Sequence, residues 1–442
     1  MSLSEFKSIL QACGIVGAGG AGFPSFAKLA EGADTLVVNA AECEPLIYTD
    51  YMLLSESLGA VLSGAAHIMA ASGIQKTLMA LKKHRAEMLG LSDGERLADG
   101  VFVKLLPDAY PMGDEINLIY EATGRLIPPG SLPITKGVIV LNAETLYNID
   151  RAISRGKPVT DKFVTIGGDV DTPRVVRVPV GMRVHELFQK LGVSVPETHS
   201  LIDGGPSMGR IVDPRTAIVT KTTKALLILP KDTPAVAHKT VSVDDMLRRA
   251  ASCCCGCSRC TEMCPRHLLG YPIEPHKMIR AANNAAIAQN PAMAVNASLC
   301  CSCGVCAEVC CQDISPKDVI LSLKGLLAKN KLRFAATGED ATPSADRSYH
   351  LIPSSRWESI LGVRCFDAVP AFERALISAR RVEIPLSGHI GAPSVPTVKV
   401  GDAVTRGDRI AACAAGLSLP QHTGICGKVT LVDDKKIVIE AN

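Results

Sequence analysis

Eight of the seventeen cysteines fall into two runs of a single spacing. Cys254, Cys257, Cys260 and Cys264, followed by Pro265, read Cys-x2-Cys-x2-Cys-x3-Cys-Pro, and Cys300, Cys303, Cys306 and Cys310 repeat that spacing. Three thiolates so placed wrap one end of an iron–sulfur cubane. The chain then leaves as a helix, and the fourth thiolate reaches a neighbouring cluster. The spacing therefore predicts two [4Fe–4S] clusters, one on Cys254, Cys257, Cys260 and Cys310, the other on Cys300, Cys303, Cys306 and Cys264. Structural zinc, the competing use of clustered thiols, favours Cys-x2-Cys pairs separated by a longer loop. Cys310 is followed by Cys311 rather than proline, and Cys253, Cys255, Cys301 and Cys311 open shifted frames. Only the frame above satisfies all eight positions, so the extra thiols are read as non-ligands. Cys13, Cys43, Cys365, Cys413 and Cys426 stand alone and are expected as buried, inert thiols.

A second constellation lies near the N-terminus. Gly17-Ala18-Gly19-Gly20-Ala21-Gly22 matches G-x-G-x-x-G, which signals a dinucleotide fold only after a strand and before a helix. Here Leu3, Phe6, Ile9, Leu10 and Cys13 have helical spacing, and Phe23-Pro24 interrupts the segment after the loop. The ordinary Rossmann reading is rejected. A glycine loop can still cradle a phosphate with backbone N–H groups, and Lys28 comes shortly after it.

These groups must be positioned by a chain of 442 residues, about three domains' worth. It is 47% hydrophobic and 21% charged, with a formal net charge of +3, too balanced for a nucleic-acid partner. Aromatics at 4% disfavour a base- or sugar-stacking protein. The most apolar stretch, Met52 to Ile74, contains Glu56, His67 and several Ser and Gly, so no membrane span is expected. Met1–Leu10 lacks a signal-peptide core, and many unpaired thiols fit a reducing compartment. A cytoplasmic protein is expected.

Changes of texture divide the chain. Residues 1–154 alternate Gly-rich turns, short β-branched runs (Thr35–Val38, Gly137–Leu141) and Ala/Leu-rich helical stretches (Leu53–Ala71), implying an α/β layer. Residues 155–235 form a small α+β module, with strands at Lys162–Gly167, Arg174–Val180 and Ala225–Leu229, a helix at Val184–Leu191 and a turn at Gly204-Gly205-Pro206. Residues 241–330 hold twelve of the cysteines among short helices. Residues 331–380 read as a linker (331–348) and then a helical segment (350–380), and 381–442 as a small all-β unit. His67 is expected as a packing residue, and His389 and His422 as surface positions.

Four ordered blocks carry a resemblance. Gly19-Gly20-Ala21-Gly22-Phe23-Pro24-Ser25-x-x-Lys28 resembles the flavin loop of the NADH-oxidising flavoprotein subunit of respiratory complex I. It also resembles that of the RnfC subunit of ion-pumping ferredoxin oxidoreductases. Asn39-Ala40-Ala41-Glu42-Cys43-Glu44-Pro45, Tyr110-Pro111-Met112-Gly113-Asp114-Glu115 and Val140–Leu146 match the next three blocks. The resemblance implies a Rossmann-like domain that binds FMN with NADH stacked over it. Gly19, Gly20, Gly22, Asn39, Asn142 and Thr145 would hold FMN, and Lys28 would meet a phosphate. Glu42, Glu44 and Glu115, with Gly113 in the same block, would line the nucleotide pocket. Ala41 stands where the complex I form has an acidic residue, and Asp114 where it has Glu. Flavin takes two electrons as hydride and gives them up singly, so a flavin beside two clusters suits NADH oxidation.

Asp203–Gly209 and Lys221–Lys224 resemble the SLBB β-grasp module of the same family. Residues 384–440 resemble a lipoyl-like barrel sandwich without a lysine between Lys399 and Lys428 to carry a prosthetic group. With that unit C-terminal rather than N-terminal, the order is similar to the corrinoid reductases of propanediol-utilising bacterial microcompartments. The resemblance implies electrons passing from NADH through FMN and both clusters to cobalamin as a transient substrate. It also implies a microcompartment location, with an adenosyltransferase and shell proteins as candidate partners. No Asp-x-His-x-x-Gly motif for base-off cobalamin occurs. A ferredoxin:NAD oxidoreductase subunit and a non-catalytic relay are the alternatives.

Overall fold

The computed structural model describes residues 1–283, 294–336 and 338–441. Its first sheet consists of β1 (Thr35–Asn39), β2 (Lys76–Lys82), β3 (Arg96–Ala98), β4 (Val101–Leu106) and β6 (Val138–Asn142); the two-residue β5 (Ala109–Tyr110) lies outside it. The order is β3-β4-β2-β1-β6, all parallel except the edge strand β3. Parallel strands need cover on both faces, and alternation along the strands supplies two cores. On one face Leu36 and Val38 of β1 and Ile139 and Leu141 of β6 pack against α1 (Leu3–Ala12), α2 (Thr49–Ser72) and α5 (Ala143–Arg155). The short α3 (Lys83–Met88) leaves the end of β2 and adds Ala86 to that core. Val37, Leu78, Ala80, Val138 and Val140 face α4 (Glu115–Thr123) and, beyond it, Leu269, Met278, Ile320 and Leu323 of the cysteine-bearing unit. The cysteine-bearing segment thus shares a hydrophobic core with the first sheet.

Helix α2 is long and apolar enough to cross a membrane by length and composition. Its Leu53, Val61, Ala65 and Ile68 are nonetheless fully buried in the core. Gly64 lets α2 approach α5 closely, because a Cβ there would collide with the backbone of Leu146.

The second sheet has β7 (Asp161–Gly168), β8 (Arg174–Pro179), β9 (His199–Asp203), β10 (Arg210–Val212), β11 (Ala225–Pro230) and, past the two-residue β12 (Ile352–Pro353), β13 (Ala371–Leu376). Its order is β10-β9-β11-β7-β8-β13, with the helix Val184–Leu191 alongside. The expected helical segment 350–380 is corrected here. Only Ser354–Ile360 is α-helical, while β13 pairs parallel with the edge of β8. A half-exposed edge position lets tertiary pairing override local propensity. The stretch read as a linker is strapped down: Ser344 N donates to Leu268 O, and Lys136 pairs with Asp340 at 2.8 Å.

The C-terminal unit stacks a four-stranded sheet (Arg381–Pro385, Lys436–Glu440, Gly427–Val432, Ala403–Val404) on a three-stranded one (Val395–Pro396, Arg409–Ala412, Gln421–His422). Asp161, buried at the start of β7, ties three regions together. Its carboxylate accepts from Arg151 of α5, Arg177 of β8 and Arg406 of the C-terminal unit at 2.7–3.1 Å. Burial alone would raise its pKa, but the guanidinium groups outweigh that and hold it well below the carboxylate range.

Candidate functional site

A cavity of about 380 Å³ opens at the C-terminal ends of β1 and β6. The strand order reverses between these two, which is where open parallel sheets bind ligands. Asn39 and Asn142 end the two strands in direct register. Asn39 donates to Gly113 O at 3.0 Å, and Asn142 donates to Asn39 O at 3.1 Å and to Asp50 at 2.8 Å. The N-termini of α2, α4 and α5 all begin at this rim, adding partial positive charge. Asp114 N-caps α4 and Asn142 N-caps α5.

The glycine loop closes one side. It comes after α1 rather than a strand and leads into a 3₁₀ turn, Ser25–Lys28, as its spacing indicates. Gly20 has φ +108° and Gly22 φ +68°, conformations open to glycine. Ala18 N donates to Thr145 Oγ1 at 3.0 Å, and Thr145 is fully buried, so it anchors the loop to α5. Gly17 and Gly19 line the cavity, and Lys28 reaches it, paired with Glu115 at 2.6 Å.

The two other acidic residues of the expected pocket also line the cavity, but their oxygens are engaged. Glu42 accepts from the backbone of Asp50 and Tyr51 at the start of α2, and burial with Asp50 nearby pushes its pKa up to about 7. Glu44 accepts from Ser207 N, Met208 N and Tyr110 Oη at 2.9–3.2 Å. It clasps the Gly204–Gly209 turn, where a Cβ on Gly205 would strike its carboxylate.

Sequence reasoning missed several residues. Lys224, from the second module, enters the cavity wall and donates to Asp50 at 2.5 Å and Thr49 at 3.1 Å. Burial disfavours its charge, yet Asp50, Glu144 and Glu42 outweigh that and raise its pKa. Its Lys221–Lys224 turn was visible; its destination was not, because Asp50 is remote in sequence. Arg266, two residues after Cys264, forms a paired hydrogen bond with Asp114 at 2.7–2.8 Å. Burial of Asp114 is outweighed by Arg266, and its pKa is lowered. Tyr110 stacks on Trp357 with centroids 4.4 Å apart and donates to Cys303 O at 2.6 Å.

The cysteines line two further pockets. Cys264, Cys300, Cys303 and Cys306 surround one, and Cys254, Cys257, Cys260 and Cys310 the other. Cys301 and Cys303 also form part of the large cavity's wall, so the first thiol pocket adjoins it. The second lies toward solvent: Cys257 is exposed, and its sulfur stands with those of Cys255 and Cys311. Three of the extra thiols, Cys255, Cys301 and Cys311, therefore line the same pockets as the expected ligands.

Two expectations about isolated residues change. Cys13 is buried and Cys43 half-buried, but Cys365, Cys413 and Cys426 are exposed, the first in the 3₁₀ turn Arg364–Phe366 and the other two just outside strands. His422 is buried rather than at the surface and His389 is half-buried, because the C-terminal unit packs on the glycine loop. Ile390 N donates to Gly22 O there. His67 contacts Ser63 and Ser154 in a polar seam between α2 and α5.

The cavity fits FMN in size, in the backbone that Gly17 and Gly19 open to it, in Lys28 and in the converging helix N-termini. The unpaired thiols fit iron–sulfur ligation. Family models concur: a Nuo51 FMN-binding domain over residues 10–151, a 4Fe-4S dicluster domain over 253–315 and an RnfC barrel sandwich hybrid domain over 373–442. Fold and site define a flavin and iron–sulfur oxidoreductase. The chain is 36% identical to cobalamin reductase PduS of Salmonella typhimurium over 99% of its length and 97% of that protein's, and 35% identical to PduS of Citrobacter freundii over 97% and 95%. A subunit of the proton-translocating ferredoxin:NAD(+) oxidoreductase complex of Clostridium ljungdahlii is 31% identical over 61% of this chain and 57% of its own. The chain belongs to the cobalamin reductase PduS family.

Proposed function

We propose that the chain is an NADH-dependent cobalamin reductase that takes cob(III)alamin to cob(II) and cob(I)alamin and so keeps a B12-dependent diol dehydratase active. The observation that carries this reading is identity to PduS along nearly the whole chain, whereas the ion-pump subunit matches over three fifths of it. FMN, when bound, supplies the conversion from hydride to single electrons that two four-iron clusters can carry.

The chain's own residues bind and orient. In this reading Gly19, Gly20, Gly22 and Lys28 receive the phosphate, while Asn39, Asn142 and Gly113 present polar edges to the flavin. Thr145 holds the loop in place. Glu115 sits beside Lys28 at the mouth, where the nicotinamide nucleotide enters. Glu42 and Glu44 shape the wall rather than reach for ligand, since helix α2 and the Gly204–Gly209 turn use their oxygens. Arg266 and Tyr110 brace the Cys264 and Cys303 segments against the cavity, so that a cluster held there would adjoin a flavin held in the cavity. Cys264, Cys300, Cys303 and Cys306 would form that first cluster. Cys254, Cys257, Cys260 and Cys310 would form the second, whose partly exposed ligands suit an exit to corrinoid.

The first domain is read as Rossmann-like, the second sheet as a β-grasp SLBB module and the C-terminal unit as lipoyl-like. A microcompartment location is proposed, with an adenosyltransferase and shell proteins as neighbours. The test is anaerobic NADH oxidation by the purified, cofactor-loaded chain with aquacobalamin and with ferredoxin as acceptors. Faster turnover with the corrinoid is expected; turnover with ferredoxin alone would overturn the reading.

A further inference from the structure

Two pairs of adjacent cysteines at the outer thiol pocket face opposite ways. Cys254 and Cys310 pack against an apolar cluster of Ala250, Ile279, Ile314 and Val319. Their neighbours Cys255 and Cys311 turn out to solvent, as does Cys257. Gly256, at φ +69°, bends the chain between Cys255 and Cys257 so that both sulfurs meet Cys311. The three Sγ atoms lie within 4.8 Å of one another.

Sulfurs within that distance can close on a single ion. Tetrahedral zinc with Zn–S bonds of about 2.3 Å requires sulfurs about 3.8 Å apart, whereas thiolates on different irons of a cubane stand farther apart. We propose that Cys255, Cys257 and Cys311 form a three-thiolate site for one soft divalent cation, zinc or cadmium, in competition with the adjoining cluster for Cys257. Thiolates select such ions over hard cations, and the solvent-facing side leaves a fourth position for water. The competition, though not the site, rests on the reading of Cys257 as a cluster ligand.

The exchange moves no electron. Cys257 transfers from iron to the incoming cation as thiolate, and the Cys255 and Cys311 thiols each bond it after losing a proton to water. A cubane short of that ligand would release its iron and sulfide in the oxidation states they hold, the sulfide taking up protons from water.

The full-length chain carrying FMN and clusters is titrated anaerobically with Cd²⁺, and bound cadmium and released iron are both measured. One cadmium per chain and release of about four of about eight iron atoms are expected. Cys255→Ser/Cys311→Ser should need at least ~10-fold more cadmium for the same release, the order of loss seen on disrupting a metal's ligand environment. Cys253→Ser, an exposed thiol outside the trio, should behave as the parent chain. Equal sensitivity of parent and double variant, or no cadmium uptake by the parent, overturns the site. If the untreated chain holds no iron, the cluster reading fails by itself. Cadmium uptake, lost or kept in the double variant, then still decides the trio.

Discussion

Removing the Arg266 guanidinium isolates the contact that holds the inner thiol pocket to the flavin cavity. Arg266→Met keeps most of the side-chain volume and leaves the Asp114 carboxylate, 7% exposed, without its paired hydrogen bond. Breaking a buried ion pair by deleting one partner costs about 3–5 kcal/mol. Asp114 keeps hydrogen bonds from the backbone and side chain of Asn117, which places the cost near the lower end. Taking the first sheet and the cysteine-bearing segment, which share a core, as one cooperative unit of about 250 residues, ~3 kcal/mol corresponds to a fall in melting temperature of roughly 6 °C. The double variant Arg266→Met/Asp114→Asn buries no lone charge, and asparagine is still a good N-cap for α4. It should therefore recover at least ~1 kcal/mol relative to the single variant. Because Asp114 is held below the usual carboxylate range, its contribution is present above about pH 4 and fades as pH falls through its lowered folded pKa. Anaerobic calorimetry of the loaded chain reads the stability, and rapid-mixing absorbance reads whether NADH bleaches the flavin normally while cluster reduction slows. A single variant melting within about 2 °C of the parent, with cluster reduction unchanged, would refute the bracing role.

Three other changes test separate parts of the structure. Gly20→Asp, at φ +108°, adds a strained backbone and a negative charge where phosphate is expected, and should abolish FMN retention on a desalting column. Asp161→Asn leaves three guanidinium groups facing a neutral amide, and should lower stability by about 3–5 kcal/mol in anaerobic denaturant melts. Glu42 has its pKa raised from 4.5 to about 7, so the folded chain keeps a proton that the unfolded chain loses between those values. Stability should fall as pH rises from about 4.5 to 7, and Glu42→Gln should flatten that slope in melts run across the window.

The cysteine runs were legible because cluster geometry dictates spacing along the chain. The glycine loop, β1, β6 and α2 were legible because each has a local pattern. The wall of the cavity was not. Lys224 meets Asp50, and Arg266 meets Asp114, across long sequence separations, and nothing local in either charged residue marks its partner. The same limit hid β13, whose edge pairing with β8 comes from tertiary contact, and the burial of His422 where its own unit packs on the N-terminal domain beside the glycine loop. Glu44 looked like a ligand-facing acid because the turn that satisfies it, Ser207 and Met208, belongs to another module.

Stopped-flow absorbance on the Cys306→Ala chain, mixed with NADH and aquacobalamin under anaerobic conditions, tests the central claim most directly. If electrons reach the corrinoid through the clusters, the flavin should bleach at the parent rate while cob(II)alamin appears slowly. Cob(II)alamin formation at the parent rate without an intact cluster pair would contradict it.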